Sequence, residues 1–206
     1  MNPQYLPNDG YIANSLTGDL FESLLEEGLR CENNKTVFTG LQTPDGVETC
    51  PHYGVSEENC EKLFAFLAPY IETYMEQFPY IKSIGVLSSD CPLTFGEPWF
   101  NLQKPNHYLP MHMHDGVLSY SIWLQLPASS EFIFSYATIT GRSSDYRINL
   151  TPTDSGKFLL FPSTLNHAVH PFKSDDPNET RIVLSGNILF QGVAELINSN
   201  QINNFT

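Results

Sequence analysis

A chain of 206 residues with a hydrophobic fraction of 41% is long enough to close one good core. Its formal net charge of −13 gives a surface that repels phosphate backbones, so no nucleic-acid partner is expected. No apolar run reaches the roughly 18 residues that cross a bilayer, and the polar start Met1-Asn2-Pro3-Gln4 is unlike a signal peptide, so no membrane partner and a cytoplasmic location are expected.

One domain is expected, with a helical support region over 1–82, a β core over 83–192 and a polar tail over 193–206. Residues 1–16, polar with two prolines, read as an extended arm. Asp19 can cap a first helix whose apolar face is Leu20, Phe21, Leu24, Leu25 and Leu29. A turn-rich connection follows from Cys31 to Tyr53. Within it, Cys50-Pro51-His52 reads as plain loop rather than a metal pair, because no second pair accompanies it. Ser56, followed by Glu57 and Glu58, starts the longest helix, with Leu63, Leu67, Tyr70, Ile71, Tyr74 and Phe78 at helical spacing. Pro69 is expected to kink it or divide it in two. Cys31, Cys50, Cys60 and Cys91 have no C-x-x-C spacing and read as reduced thiols, and in a reducing compartment the sequons at Asn34, Asn149 and Asn178 carry no weight.

From about residue 83 the texture changes to short β-rich runs separated by Pro, Gly, Asn and Ser, at 83–87, 97–103, 118–126, 131–137, 145–150, 157–161 and 180–190. Strands at this spacing with no helices between them predict an antiparallel sandwich or barrel, and their number fits a jelly roll with the helices packed on its sheet. Such a fold closes a concave mouth that can hold a metal.

His112 and His114 stand at i and i+2 in extended chain, so both imidazoles face one side and can reach one ion. His167 follows another apolar run and a proline turn. Imidazoles suit Fe, Zn, Cu or Ni, and two of them plus one further group leave open positions on Fe(II). The third ligand has three solutions: His114 itself, Asp115 where the strand ends in a turn, or an open position if the register starts at His114-Asp115-Gly116. We favour His112, His114 and His167, with His107 and His170 as bystanders. Arg181, opening the run that ends at Asn187, can grip a carboxylate through two parallel hydrogen bonds, or simply pair with Glu179. Asn101, Gln103, Tyr120, Trp123 and Asn187 are candidate lining residues, of which Asn101 and Tyr120 join Arg181 as cofactor-binding candidates.

The series Trp99-Phe100-Asn101, His112-x-His114, Leu118-Ser119, Phe161-Pro162-Ser163-x-Leu165-x-His167-x-Val169-x-Pro171 and Arg181 to Asn187 resembles the Fe(II)/2-oxoglutarate-dependent oxygenases of bacteria, marine phages and their relatives. The resemblance spans about residues 96–190. It implies a double-stranded β-helix, Fe(II) held by His112 as proximal and His167 as distal ligand, and 2-oxoglutarate held at its distal carboxylate by Arg181. It further implies oxidation of an unknown small-molecule or protein substrate with release of succinate and carbon dioxide. His114 departs from the superfamily's H-x-D or H-x-E pattern, which leaves hydroxylation, halogenation and inactivity open.

The same stretches resemble cupins, through His112-x-His114 and Gly156-(x)5-Pro162-x-Thr164-x-x-His167 with threonine for the usual glycine. The glutamate expected beyond the histidine pair is Leu118 or Ser119 here. That gap and Arg181 favour the oxygenase. A cupin-type metalloenzyme without a keto acid and a non-catalytic β-sandwich that binds a sugar or partner are the alternatives.

Overall fold

A computed structural model describes residues 2–5, 10–31, 37–38, 52–78 and 92–191. The chain starts with strands β1 (Asn2–Tyr5) and β2 (Gly10–Ser15), helix α1 (Asp19–Cys31), short strands β3 (Val37–Phe38) and β4 (His52–Gly54), and helix α2 (Glu57–Gln77). Then come β5 (Leu93–Phe95), β6 (Trp99–Gln103), β7 (Leu109–His112), β8 (Leu118–Gln125) and β9 (Ser130–Ala137). β10 (Ser143–Leu150), β11 (Lys157–Pro162), β12 (Asn166–Val169) and β13 (Arg181–Phe190) complete the described chain. The larger antiparallel sheet runs β1-β2-β11-β8-β13-β6-β4-β3, with β5 also on β13, and the smaller runs β10-β9-β12-β7. This is the expected double-stranded β-helix.

Strand alternation sorts the apolar residues into two cores. Phe100 and Leu102 of β6, Ile122 and Leu124 of β8, and Ile182 and Leu184 of β13 point one way, into a core shared with Leu24 of α1 and Leu63, Leu67, Ile71 and Tyr74 of α2. Trp123 and Val183 point the other way and meet Phe132, Phe134, Phe161 and Val169 between the sheets. Leu24, Leu63 and Leu67 are fully buried, and each such side chain contributes about 1.5–3 kcal/mol of transfer free energy. The helices thus brace one face of the larger sheet and leave its other face for the site.

Gly28 lets α1 approach that sheet closely, since a Cβ there would stand 2.9 Å from Cγ2 of Ile182. At the start of α2 the Ser56 hydroxyl accepts from the Asn59 amide, while Glu27 of α1 accepts from both the amide and the hydroxyl of Ser56, at 2.6 and 2.9 Å. Pro69 does not divide the helix, which runs unbroken from Glu57 to Gln77. Packing of residues on both sides of the proline into one core outweighs the single hydrogen bond it removes.

The N-terminal segment differs from the expected arm. β2 adds to the larger sheet beside β11, with Ile12 opposite Leu160, and buries Ile12 and Leu16. A short strand diluted by Asn14 and Ser15 has weak local periodicity, so its place is set by the free edge of β11. The run at 83–87, Cys50, Cys91 and the tail lie outside the described residues. Among the described residues Cys31 and Cys60 are free thiols, and no helix is long and apolar enough to cross a membrane.

Candidate metal centre

β7 and β12 are antiparallel neighbours, and their register sets His167 directly opposite His112. Directly opposed residues on paired strands project to the same face. His114 lies just past the end of β7, where its amide donates to the Ser163 carbonyl at 2.9 Å and holds the turn against the other sheet. The ring centroids stand 4.3 Å (His112–His167), 5.0 Å (His112–His114) and 5.1 Å (His114–His167) apart. One nitrogen from each ring lies within 4.8 Å of the others, a grouping that can hold a metal ion.

Backbone carbonyls fix the ring tautomers. Nδ1 of His112 is 2.7 Å from the Pro110 carbonyl, and Nδ1 of His167 is 2.9 Å from the Leu165 carbonyl. A carbonyl can only accept, so each Nδ1 carries the proton and each Nε2 keeps its lone pair for a metal. Burial, then the neighbouring His112, pushes His167 down to about 3 and His114 down to about 4, and burial lowers His112 as well. The three rings are therefore neutral at physiological pH, the form a metal requires. Phe132 stacks on His167 at 5.5 Å and Phe161 meets its edge-on face at 5.0 Å, which keeps water from that side.

Asp115 is exposed and lies outside the group. His107 accepts from the Lys104 amide, and His170 pairs with Glu131 at 3.0 Å on the surface, both apart from the three histidines.

A small cavity of about 40 Å³, partly open to solvent, lies against the histidines between the sheets. Asn101 and Gln103 of β6, Trp123 of β8, and Val183 and Ser185 of β13 line it. Asn101 donates to the Ser185 hydroxyl at 3.1 Å. Arg181 shares the cavity face of β13 with Val183 and Ser185 and is completely buried. Its Nε donates to Oε1 of Gln103 at 2.6 Å, its Nη1 to the His170 carbonyl at 2.9 Å, and its guanidinium lies 5.4 Å from the centre of the Phe172 ring. Tyr120 is not brought to the cavity: its ring enters the helix-side core, and its hydroxyl lies against Gly186. Asn187 accepts from the Ser119 hydroxyl at 2.7 Å and does not line the cavity.

His52, read from sequence as plain loop, lines the cavity. It stands opposite Asn101 in the β4–β6 pairing, with its ring 5.5 Å from Trp99. Burial, then the nearby His112, pushes it down to about 4, while a hydrogen bond with Asn101 acts the other way. Nothing local in the sequence marks it, because its place depends on pairing with a strand far along the chain.

Residues 97–187 match the family model described as "Putative 2OG-Fe(II) oxygenase". A search of curated proteins returns no match. Among solved structures the chain is similar to a Pseudomonas putida prolyl-4-hydroxylase, at 17% identity and a TM-score of 0.59, over 89% of this chain and 94% of that one. It is similar to HygX from Streptomyces hygroscopicus with nickel and 2-oxoglutarate bound, at 13% identity and a TM-score of 0.57, over 89% and 84%. It is also similar to a collagen prolyl hydroxylase of Paramecium Bursaria Chlorella virus-1, at 13% identity and a TM-score of 0.54, over 86% and 94%. At these identities the likeness is one of fold. Three neutral imidazoles fit Fe(II), and a buried guanidinium on the facing sheet, beside the cavity-lining Gln103, fits a carboxylate of 2-oxoglutarate. His112, His114, His167 and Arg181 all lie within the stretch that is similar to that oxygenase family model.

Proposed function

We propose that the protein is an Fe(II)- and 2-oxoglutarate-dependent dioxygenase that hydroxylates a small-molecule or protein substrate, with release of succinate and carbon dioxide. The observation that carries this reading is the convergence of His112, His114 and His167 on one point of a cavity lined by Gln103, which accepts a hydrogen bond from the buried Arg181. In it, the three histidines hold iron and Arg181 anchors the cosubstrate, with Asn101 beside it. Bound together, iron and the keto acid would let dioxygen serve as the four-electron oxidant, taking two electrons from decarboxylation of the keto acid to succinate and two from a substrate C–H bond.

The chain's own residues orient and shield. The Pro110 and Leu165 carbonyls keep the Nε2 lone pairs of His112 and His167 aimed inward. Phe132 and Val169 present apolar surface to the cavity and keep water off the ligand nitrogens. Gln103 and the His170 carbonyl hold the Arg181 guanidinium in place before the cosubstrate arrives, so little ordering remains to be done on binding. His52 and Trp99 line the remaining wall, where the prime substrate would lie.

One observation favours a second reading: among the described residues the group is three histidines with no carboxylate, which departs from the H-x-D or H-x-E pattern of the oxygenases and leaves room for a cupin-type metalloenzyme that works without a keto acid. An anaerobic titration with Fe(II) and then 2-oxoglutarate separates the two. A visible charge-transfer band in the wild type that weakens in Arg181→Ala is the expected result. Iron binding without a band would move the assignment to the second reading, and no metal binding would sink both.

A further inference from the structure

Two buried donors in the cavity wall have no partner among the described residues, Nε2 of Gln103 and Nε1 of Trp123. Gln103 is 1% exposed, Trp123 is fully buried, and both line the cavity. Buried N–H groups are nearly always satisfied, because leaving one unmade costs the full desolvation of the group. A pair of them at one cavity wall points to an acceptor supplied by a ligand.

The orientation of Gln103 is dictated by its neighbour. A guanidinium only donates, so the 2.6 Å contact from Arg181 Nε must fall on Oε1, which turns Nε2 away from the arginine. The indole nitrogen of Trp123 has no choice at all, being a donor only. Sheet register places them on the two strands that flank β13: Gln103 stands opposite Arg181 on β6, and Trp123 stands on β8 opposite Val183, the next residue of β13 on that face. Val183 offers no polar atom. A second anchor beside the guanidinium must therefore come from the flanking strands.

We propose that Gln103 and Trp123 are ligand-binding residues which, with Arg181, form a three-stranded carboxylate subsite. The guanidinium supplies the charge, and the amide and indole N–H groups supply two neutral donors to the same anionic end. The inference rests on the dioxygenase reading and deepens it: the ligand class is a short keto acid with a second carboxylate. A keto acid lacking that carboxylate leaves both donors unmade, so it binds far more weakly.

The test uses the Fe(II)-loaded protein under anaerobic conditions, titrated with 2-oxoglutarate in the wild type, Trp123→Phe and Gln103→Glu. The glutamate keeps an oxygen for Arg181 and replaces the amide nitrogen with a second acceptor. Each change is expected to weaken 2-oxoglutarate binding about 10- to 100-fold while Fe(II) affinity is retained. Wild-type affinity in both variants overturns the subsite and leaves the dioxygenase reading standing. A wild-type protein that binds iron but no 2-oxoglutarate overturns that reading, and the subsite with it. A second measurement needs no change at Trp123: the chain has two tryptophans, so Zn(II)-loaded protein shows two indole N–H resonances, assigned with Trp99→Phe. A downfield shift of the Trp123 signal on adding 2-oxoglutarate is expected, and an unmoved signal removes Trp123 from the subsite.

Discussion

His112 and His167 face each other across the β7–β12 pairing with ring centroids 4.3 Å apart, each tied through Nδ1 to a carbonyl two residues earlier in its own chain. Neither ring depends on the other for its orientation, so both present a lone pair before any ion binds. Replacing either by alanine is expected to lower Fe(II) affinity by at least about 100-fold, in the upper range for losing metal-site partners. His170→Ala, altering a surface pair with Glu131, serves as the control and should bind iron as the wild type does. Equilibrium dialysis with Fe(II) checks both, and an unchanged His167→Ala would remove β12 from the centre.

His114 decides which ligand set operates. With Asp115 exposed and outside the group, Asp115→Ala is expected to leave Fe(II) affinity unchanged and His114→Ala to weaken it by at least about tenfold. His114→Asp offers a carboxylate from the same backbone position and should recover much of the loss. Were His114→Ala to bind iron normally, two histidines and an open position would be the working set.

The buried histidines give the metal-free protein a definite pH dependence. His167 is held at about 3, and His114 and His52 at about 4, by burial and by neighbouring imidazoles, against 6.5 for an unperturbed ring. Between about pH 6.5 and 4 the unfolded chain binds protons that the folded chain does not, so stability rises with pH across that window. Each of these histidines contributes fully above 6.5 and loses at most about 1.4 kcal/mol per pH unit below it. Denaturant unfolding of chelator-treated protein at pH 7, 6 and 5 should show a falling midpoint. A midpoint independent of pH over that range would mean the rings are solvated.

Helix α1 depends on the close approach at Gly28. Gly28→Ala brings a methyl to 2.9 Å from Ile182 and 3.4 Å from Phe100. The overpacking cost of about 1–3 kcal/mol exceeds the helix-propensity gain of about 1 kcal/mol. A lower Tm, by a few degrees, is expected, with iron binding retained because the histidine pair His112 and His167 lies on the smaller sheet, beyond the other face of the larger one. A raised Tm would show that the helix shifts at no cost.

Local pattern was enough for the two helices and for β6, β8, β9, β10, β11 and β13, and it singled out the three histidines that the fold groups, because alternation, capping and i, i+2 spacing act over a few residues; the short strands β7 and β12 were not among the expected runs. It did not reveal the N-terminal strands, the pocket position of His52 or the helix-side placement of Tyr120. Those depend on which strand lies beside which. Tyr120 and Trp123 sit three residues apart on β8 and so take opposite faces, and a register slip of one residue would exchange them. The sequence by itself determined that an H-x-H pair, a later histidine and an arginine lie on a β-rich scaffold. Only the tertiary structure decided that His112 meets His167, that His52 joins them from β4, and that Gln103, held by Arg181, turns its amide nitrogen away from the guanidinium, because each of these is a relation between strands far apart in the chain.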